Sequence, residues 1–128
     1  MNKNNYHGII LNISQRDKSI FKGLNIIGKK RILLGTIILY KVNVAAEDLE
    51  LLIQKLQSNM SKHFLHLVHE FYCHFYQGNE LIVVFRNNVF LATTDRSSWK
   101  DAIEYGKGLG IPMRQLDFIP YRVEDEIF

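Results

Sequence analysis

The chain has 128 residues, of which 47% are hydrophobic and 23% charged, and its net charge is +3. One domain covering residues 1–128 is expected, long enough to bury a core without disulfides. The single cysteine, Cys73, excludes an intramolecular disulfide or a cysteine-rich zinc module and points to a reducing cytoplasm.

His7 to Ser14 is rich in isoleucine and leucine and reads as a short buried strand. Ser14 is a candidate N-cap, and Ile20, Phe21, Leu24 and Ile27 recur at helical spacing. The expectation is therefore a helix over Gln15–Ile27 that Gly28 stops. The β-branched run Ile32–Val44 predicts a central strand with a bulge or bend at Gly35. It contains the longest apolar stretch, about Ile32 to Tyr40, well short of the roughly 20 residues that span a bilayer. The polar opening also lacks the apolar core of a signal peptide, so no membrane partner is expected. Leu49, Leu52, Ile53 and Leu56 form the apolar stripe of a helix over Ala45–Ser58, with Glu47, Asp48 and Glu50 at its start.

From His69 to Thr94, three β-rich runs are separated by turns at Gly78-Asn79 and Asn87-Asn88, the pattern of a three-stranded meander. A last helix starts at Ser97 or Ser98, with Ser98 and Asp101 spaced as a variant capping box. Gly108, Gly110 and Pro112 end it, and Leu116–Ile119 reads as a closing strand before an acidic, solvated tail. The resulting fold class is α+β, a mainly antiparallel sheet of about five or six strands with three helices. The order from residue 36 onward is ferredoxin-like, βαββαβ with an added hairpin. The stretch ELIVVFRNNVFLATTDRSSWKDAIEYGKGLGIP, and the chain around it, resembles small uncharacterised prokaryotic proteins with no assigned activity. That resemblance implies a compact single domain and no particular site.

Period-2 alternation divides the meander into two faces. Phe71, Cys73, Phe75, Ile82, Val84, Val89 and Leu91 make an ordinary core. Tyr72, His74, Tyr76, Phe85 and Phe90 share the other face with Leu81, Val83 and Ala92, and that face is too apolar to stand bare in water. Four covers compete for it: the chain's own N-terminal strand and helix, a homodimer, a small ligand or protein partner, or nucleobases stacked on the aromatics. The last needs phosphate contacts, and Lys29, Lys30 and Arg31 in the basic first third are the candidates. The expected function is a non-catalytic binding or assembly module that uses this face, with RNA or single-stranded nucleic-acid binding as the alternative.

Other chemistry is less well supported. His66, Glu70 and His74 would line up as metal ligands on a helix. In a strand rising about 3.3 Å per residue, the two histidines stand roughly 26 Å apart. Hairpin signals favour the strand from His69 onward, so no metal and no cofactor are expected. Cys73 falls among core side chains, where a thiol is inert. The GxG at Gly106–Gly108 follows a helix instead of opening one, so it is no phosphate cradle.

Overall fold

The structure is a computed structural model that describes residues 5–65 and 67–128. Along the chain come β1 (Asn5–Leu11), β2 (Asn25–Ile32), β3 (Ile37–Ala45) and α1 (Ala46–Ser58). A two-residue hairpin follows, β4 (His63–Phe64) and β5 (Leu67–Val68). Then come β6 (Tyr72–Gln77), β7 (Glu80–Phe85), β8 (Asn88–Thr93) and α2 (Lys100–Gly108). Six strands form one antiparallel sheet in the order β2-β3-β1-β6-β7-β8, and β4 pairs only with β5. At its middle, Ile9 of β1 stands between Lys41 of β3 and His74 of β6.

The helix expected over Gln15–Ile27 shrinks to a 3-10 segment, Lys18–Gly23. The Asp17 carboxylate accepts the Ser19 N–H at 2.9 Å and starts the turn. From Asn25 the backbone instead pairs with β3, setting Ile26 opposite Val42 and Lys30 opposite Leu39. A ladder to a neighbouring strand satisfies the backbone of a β-branched run better than a short, glycine-interrupted helix does. Gly28 is thus a bulge position opposite Lys41, not a helix stop, and Gly35 lies in the β2–β3 turn at φ 86°.

The turn at Gly78-Asn79 is where expected, with Gln77 opposite Glu80. The next turn is Arg86-Asn87, one residue earlier than read, so Phe85 faces Asn88 and Val83 faces Phe90. Moving the turn by one residue slides the pairing by two, which leaves every side chain on its expected face. The closing strand at Leu116–Ile119 does not form. Phe118 adopts φ 51°, which interrupts an extended run, and the βαββαβ order is left incomplete. Ser98 does not cap with Asp101 either: Asp95 accepts the Ser97 N–H at 3.0 Å and opens the turn that leads into α2.

The two helices lie on opposite faces of the sheet. On one face, Leu49, Leu52 and Leu56 of α1 pack on Cys73, Phe75, Ile82 and Val84. Gly8 of β1 leaves room for the Phe75 ring of the neighbouring strand, because a Cβ there would lie 2.4 Å from it. Leu91, expected in this core, is 80% exposed. It sits on edge strand β8, whereas α1 lies over β3, β1 and β7. On the other face, Trp99 and Ala102 pack with Leu81, Val83 and Phe85, and Ile111, Leu116 and Phe118 extend the same cluster. No helix among the described residues is long and apolar enough to cross a membrane.

Candidate functional site

The aromatic face is covered by the chain itself. Tyr76 and Phe85 are fully buried, His74 is nearly so, and Tyr72 and Phe90 are half-buried. The cover is α2 together with residues 111–128, not Gln15–Ile27. Tyr105 of α2 stacks 4.9 Å from Phe85 and 5.4 Å from Phe90, and Phe118 meets Tyr72 edge-on at 5.3 Å. The face is therefore closed both to stacking nucleobases and to a second sheet. Lys29, Lys30 and Arg31 lie on edge strand β2, exposed and alternating between faces. Lys29 reaches over Tyr40 at 5.7 Å, on the face that α1 covers. Phosphate contacts and aromatic stacking do not meet on one surface.

Side-chain bonds pin the covering segment. Glu126, expected in a solvated tail, is instead tucked against the sheet. Its carboxylate accepts from Tyr76 Oη at 2.5 Å, meets His7 Nδ1 at 2.6 Å and lies 3.3 Å from Lys41 Nζ. Lys41 is buried, and the Phe128 ring lies 5.0 Å from its ammonium. Burial alone would raise the Glu126 carboxyl. Hydrogen bonds from Tyr76 and His7 and the charges of His7 and Lys41 outweigh it, and the net shift is downward. Burial pushes the Tyr76 hydroxyl up, reinforced by Glu126, so Tyr76 donates and Glu126 accepts.

Nearer the middle of the face, burial lowers His74 to about 4, and its neutral ring donates from Nε2 to the Pro120 carbonyl at 2.8 Å. Tyr72 donates to the Gln115 carbonyl. Burial pushes the Cys73 thiol up to about 12, which keeps it protonated and unreactive at neutral pH.

Beyond Tyr72 the cover stops. A cleft of about 470 Å³ opens between the free ends of β1–β3, the β4–β5 hairpin and the segment 111–119. Its walls are mainly Ile9, Leu11, Ile37, Leu39, Phe71 and Ile111. Tyr72 and His74 mark its inner end, and His69, Glu70, Gln115 and Asp117 supply polar groups. Of the residues expected at the site, Tyr72 and His74 line this space, whereas Tyr76 is buried in the sealed part. Sequence reasoning missed β2 and the β4–β5 hairpin, both of which wall the cleft. Gly35 between the Ile26-Ile27 and Ile37–Tyr40 stretches was the available signal, but Leu-Leu is not a recognised turn pair.

The cleft has the size of a small-molecule pocket, a few hundred cubic ångströms of mainly apolar lining with few polar groups. Cys73 is buried and does not line it. His63–Phe64, Leu67–Val68 and Tyr72–Gln77 are strands and Glu70 lies outside any helix, so no helical stripe joins Glu70 to His74; His66 itself lies outside the described residues. Among the described residues, no three His, Cys, Asp or Glu side chains gather as metal ligands. No protein-family model matches this chain, and neither a curated protein nor a solved structure does.

Proposed function

We propose that this chain is a non-catalytic binding module that takes a small, largely apolar ligand in the cleft at the open end of its aromatic sheet face. The observation that carries this is an apolar space of about 470 Å³ continuous with the hydrophobic core. Apolar walls of this extent left facing water are costly, at about 25 cal/mol per Å². A ligand that covers these walls removes them from water and gains close contacts with them. The polar groups at its mouth, Glu70, Gln115 and Asp117, suit an amphipathic ligand whose polar end stays near water.

Nile red titration tests the reading directly. The expected result is saturable fluorescence at one dye per chain, lost in Leu39→Trp, whose indole fills the cleft. Mass spectrometry of an organic extract from purified protein then identifies any retained apolar ligand. Dye binding that is absent, or that persists unchanged in Leu39→Trp, overturns the proposal.

A further inference from the structure

Around the mouth of the cleft, large apolar side chains project into solvent instead of packing. At the β2–β3 turn, Leu34 is 105% exposed, with Leu33 and Ile32 beside it. On the β4–β5 hairpin, Leu65, Leu67 and Val68 are 78%, 68% and 76% exposed. The two tips flank one region: Ile32 and Leu33 line the cleft opposite Phe64, and Leu65 shares a neighbouring groove with Thr36. Single exposed leucines are common on protein surfaces, but a grouped set at two adjacent loop tips marks a contact site.

The backbone makes this placement less accidental. Leu33 and Leu34 sit at φ 50° and 57°, and Leu65 sits at φ 59°. Gly35 N–H donates to the Ile32 carbonyl at 3.0 Å, closing a turn whose two central residues are both left-handed. Asn-Gly fills such turns without strain, whereas each L-residue with a full side chain is disfavoured there. Folding alone is poorly served by leucine at these positions, and an apolar contact outside the chain accounts for it.

Charge indicates the partner. The exposed cations Lys30 and Arg31 immediately precede the first tip, Lys62 precedes the second, and Arg114 adjoins exposed Met113. The acids nearby are Glu70, whose carboxylate faces Arg86 at 4.0 Å, and exposed Asp117. Apolar tips flanked by cations match an anionic lipid surface, in which leucines enter the acyl boundary while lysine and arginine stay at the headgroups. We infer that this end of the molecule docks peripherally on anionic membranes, the two leucine tips inserting and the cleft mouth facing the bilayer. Surface docking needs no spanning segment. A lipid surface also places the cleft where apolar ligands are concentrated, although the docking stands without the ligand-binding reading.

Co-sedimentation with vesicles tests it. The full chain is expected to bind phosphatidylcholine vesicles containing phosphatidylglycerol, and to bind pure phosphatidylcholine at least about tenfold more weakly, since each surface cation favours anionic lipid. Leu33→Asn with Leu34→Gly should reduce vesicle binding about tenfold or more through lost apolar insertion. The same pair should raise the thermal midpoint, so misfolding cannot explain the loss. Lys30→Glu with Arg31→Glu should abolish the preference for anionic vesicles. Leu39→Trp should retain vesicle binding while losing Nile red, which separates this proposal from the ligand site. Vesicle binding unchanged by the leucine variant, or equal on both lipids, overturns the inference. So does a wild-type dimer in sedimentation that ignores vesicles and that the leucine variant makes monomeric, which would assign the tips to a second copy of the chain.

Discussion

The two ends of the aromatic sheet face are built from the same kinds of residue and meet opposite fates. At the Tyr76 end, α2 and residues 111–128 bury the strands, and the Glu126 carboxylate fastens the cover to His7, Tyr76 and Lys41. At the Tyr72 end, Leu11, Ile37 and Leu39 are equally apolar, yet they line a cleft that the covering segment leaves open. Hydrophobicity alone therefore does not determine which part of a sheet becomes core. The difference lies in whether a covering segment has polar anchors to hold it down. Glu126 at Tyr76 and Pro120 at His74 supply them along the sealed part, and the bond from Tyr72 to the Gln115 carbonyl is the last anchor before the cleft.

The largest expected contrast comes from truncating the sealed end. Trp99 is 1% exposed, packs 5.4 Å from Phe118, and donates to the Thr93 carbonyl at 2.7 Å. Trp99→Ala should cost about 4 kcal/mol in urea unfolding, the usual range for a buried aromatic. Ile32→Ala at the cleft mouth should stay within about 0.5 kcal/mol of wild type. Similar losses at both positions would show that the two ends are equally packed, and the contrast would fail.

Removing the anchor comes next. Glu126→Gln leaves Lys41 buried without its counter-charge, and breaking such a pair costs about 3 kcal/mol. Because both side chains keep some solvent contact, 7% for Lys41 and 13% for Glu126, the loss should fall at or below that figure. Adding Lys41→Met should recover most of it, since the uncompensated charge is then gone. A single Glu126→Gln variant as stable as wild type would mean that α2 alone holds the cover.

Acid should loosen the same cover from within. His74 has its folded pKa lowered to about 4, against 6.5 for the free side chain. Between those values the unfolded chain binds the extra proton, so stability falls as pH drops from 6.5 toward 4. The shift corresponds to on the order of 3 kcal/mol, reached gradually across that window. Glu126 is held below its ordinary 4.5, so its contribution is present above that value and is lost at lower pH still. Urea midpoints measured against pH should therefore decline in two stages. In His74→Phe the first stage should flatten.

The sequence disclosed these regions unevenly. The faces of β6–β8 were legible because the Gly78-Asn79 turn and strict alternation fix them, and the observed pair Tyr72–Phe85 follows. The pair Val83–Phe90 depends instead on the turn at Arg86-Asn87, which was read one residue late. The α1 stripe through Leu49, Leu52 and Leu56 was equally plain. The cover was not legible. Residues 111–128 have no period, and their hold depends on single bonds such as His74 to the Pro120 carbonyl, which only the folded chain brings together. Strand β2 was hidden for a related reason. Ile20, Leu24 and Ile27 imitate a helix, and the pairing with β3 that overrides them passes through Leu33-Leu34, a turn with no turn signature.

The smallest expected effect is the most informative about the open end. Leu39 is half-buried and lines the cleft. An indole in its place adds volume that a packed core rejects at a cost of about 1–3 kcal/mol. If the cleft is open in solution, Leu39→Trp places that volume in existing space and changes stability by less than about 0.5 kcal/mol. The new tryptophan should then emit from an apolar environment, readable in a Trp99→Phe background. A loss of 2 kcal/mol or more, set against the same overpacking range, would mean that the walls close on one another when no ligand is present. The ligand site would then have to be formed by binding, and the distinction between a sealed end and an open end would become one between a rigid cover and a mobile one.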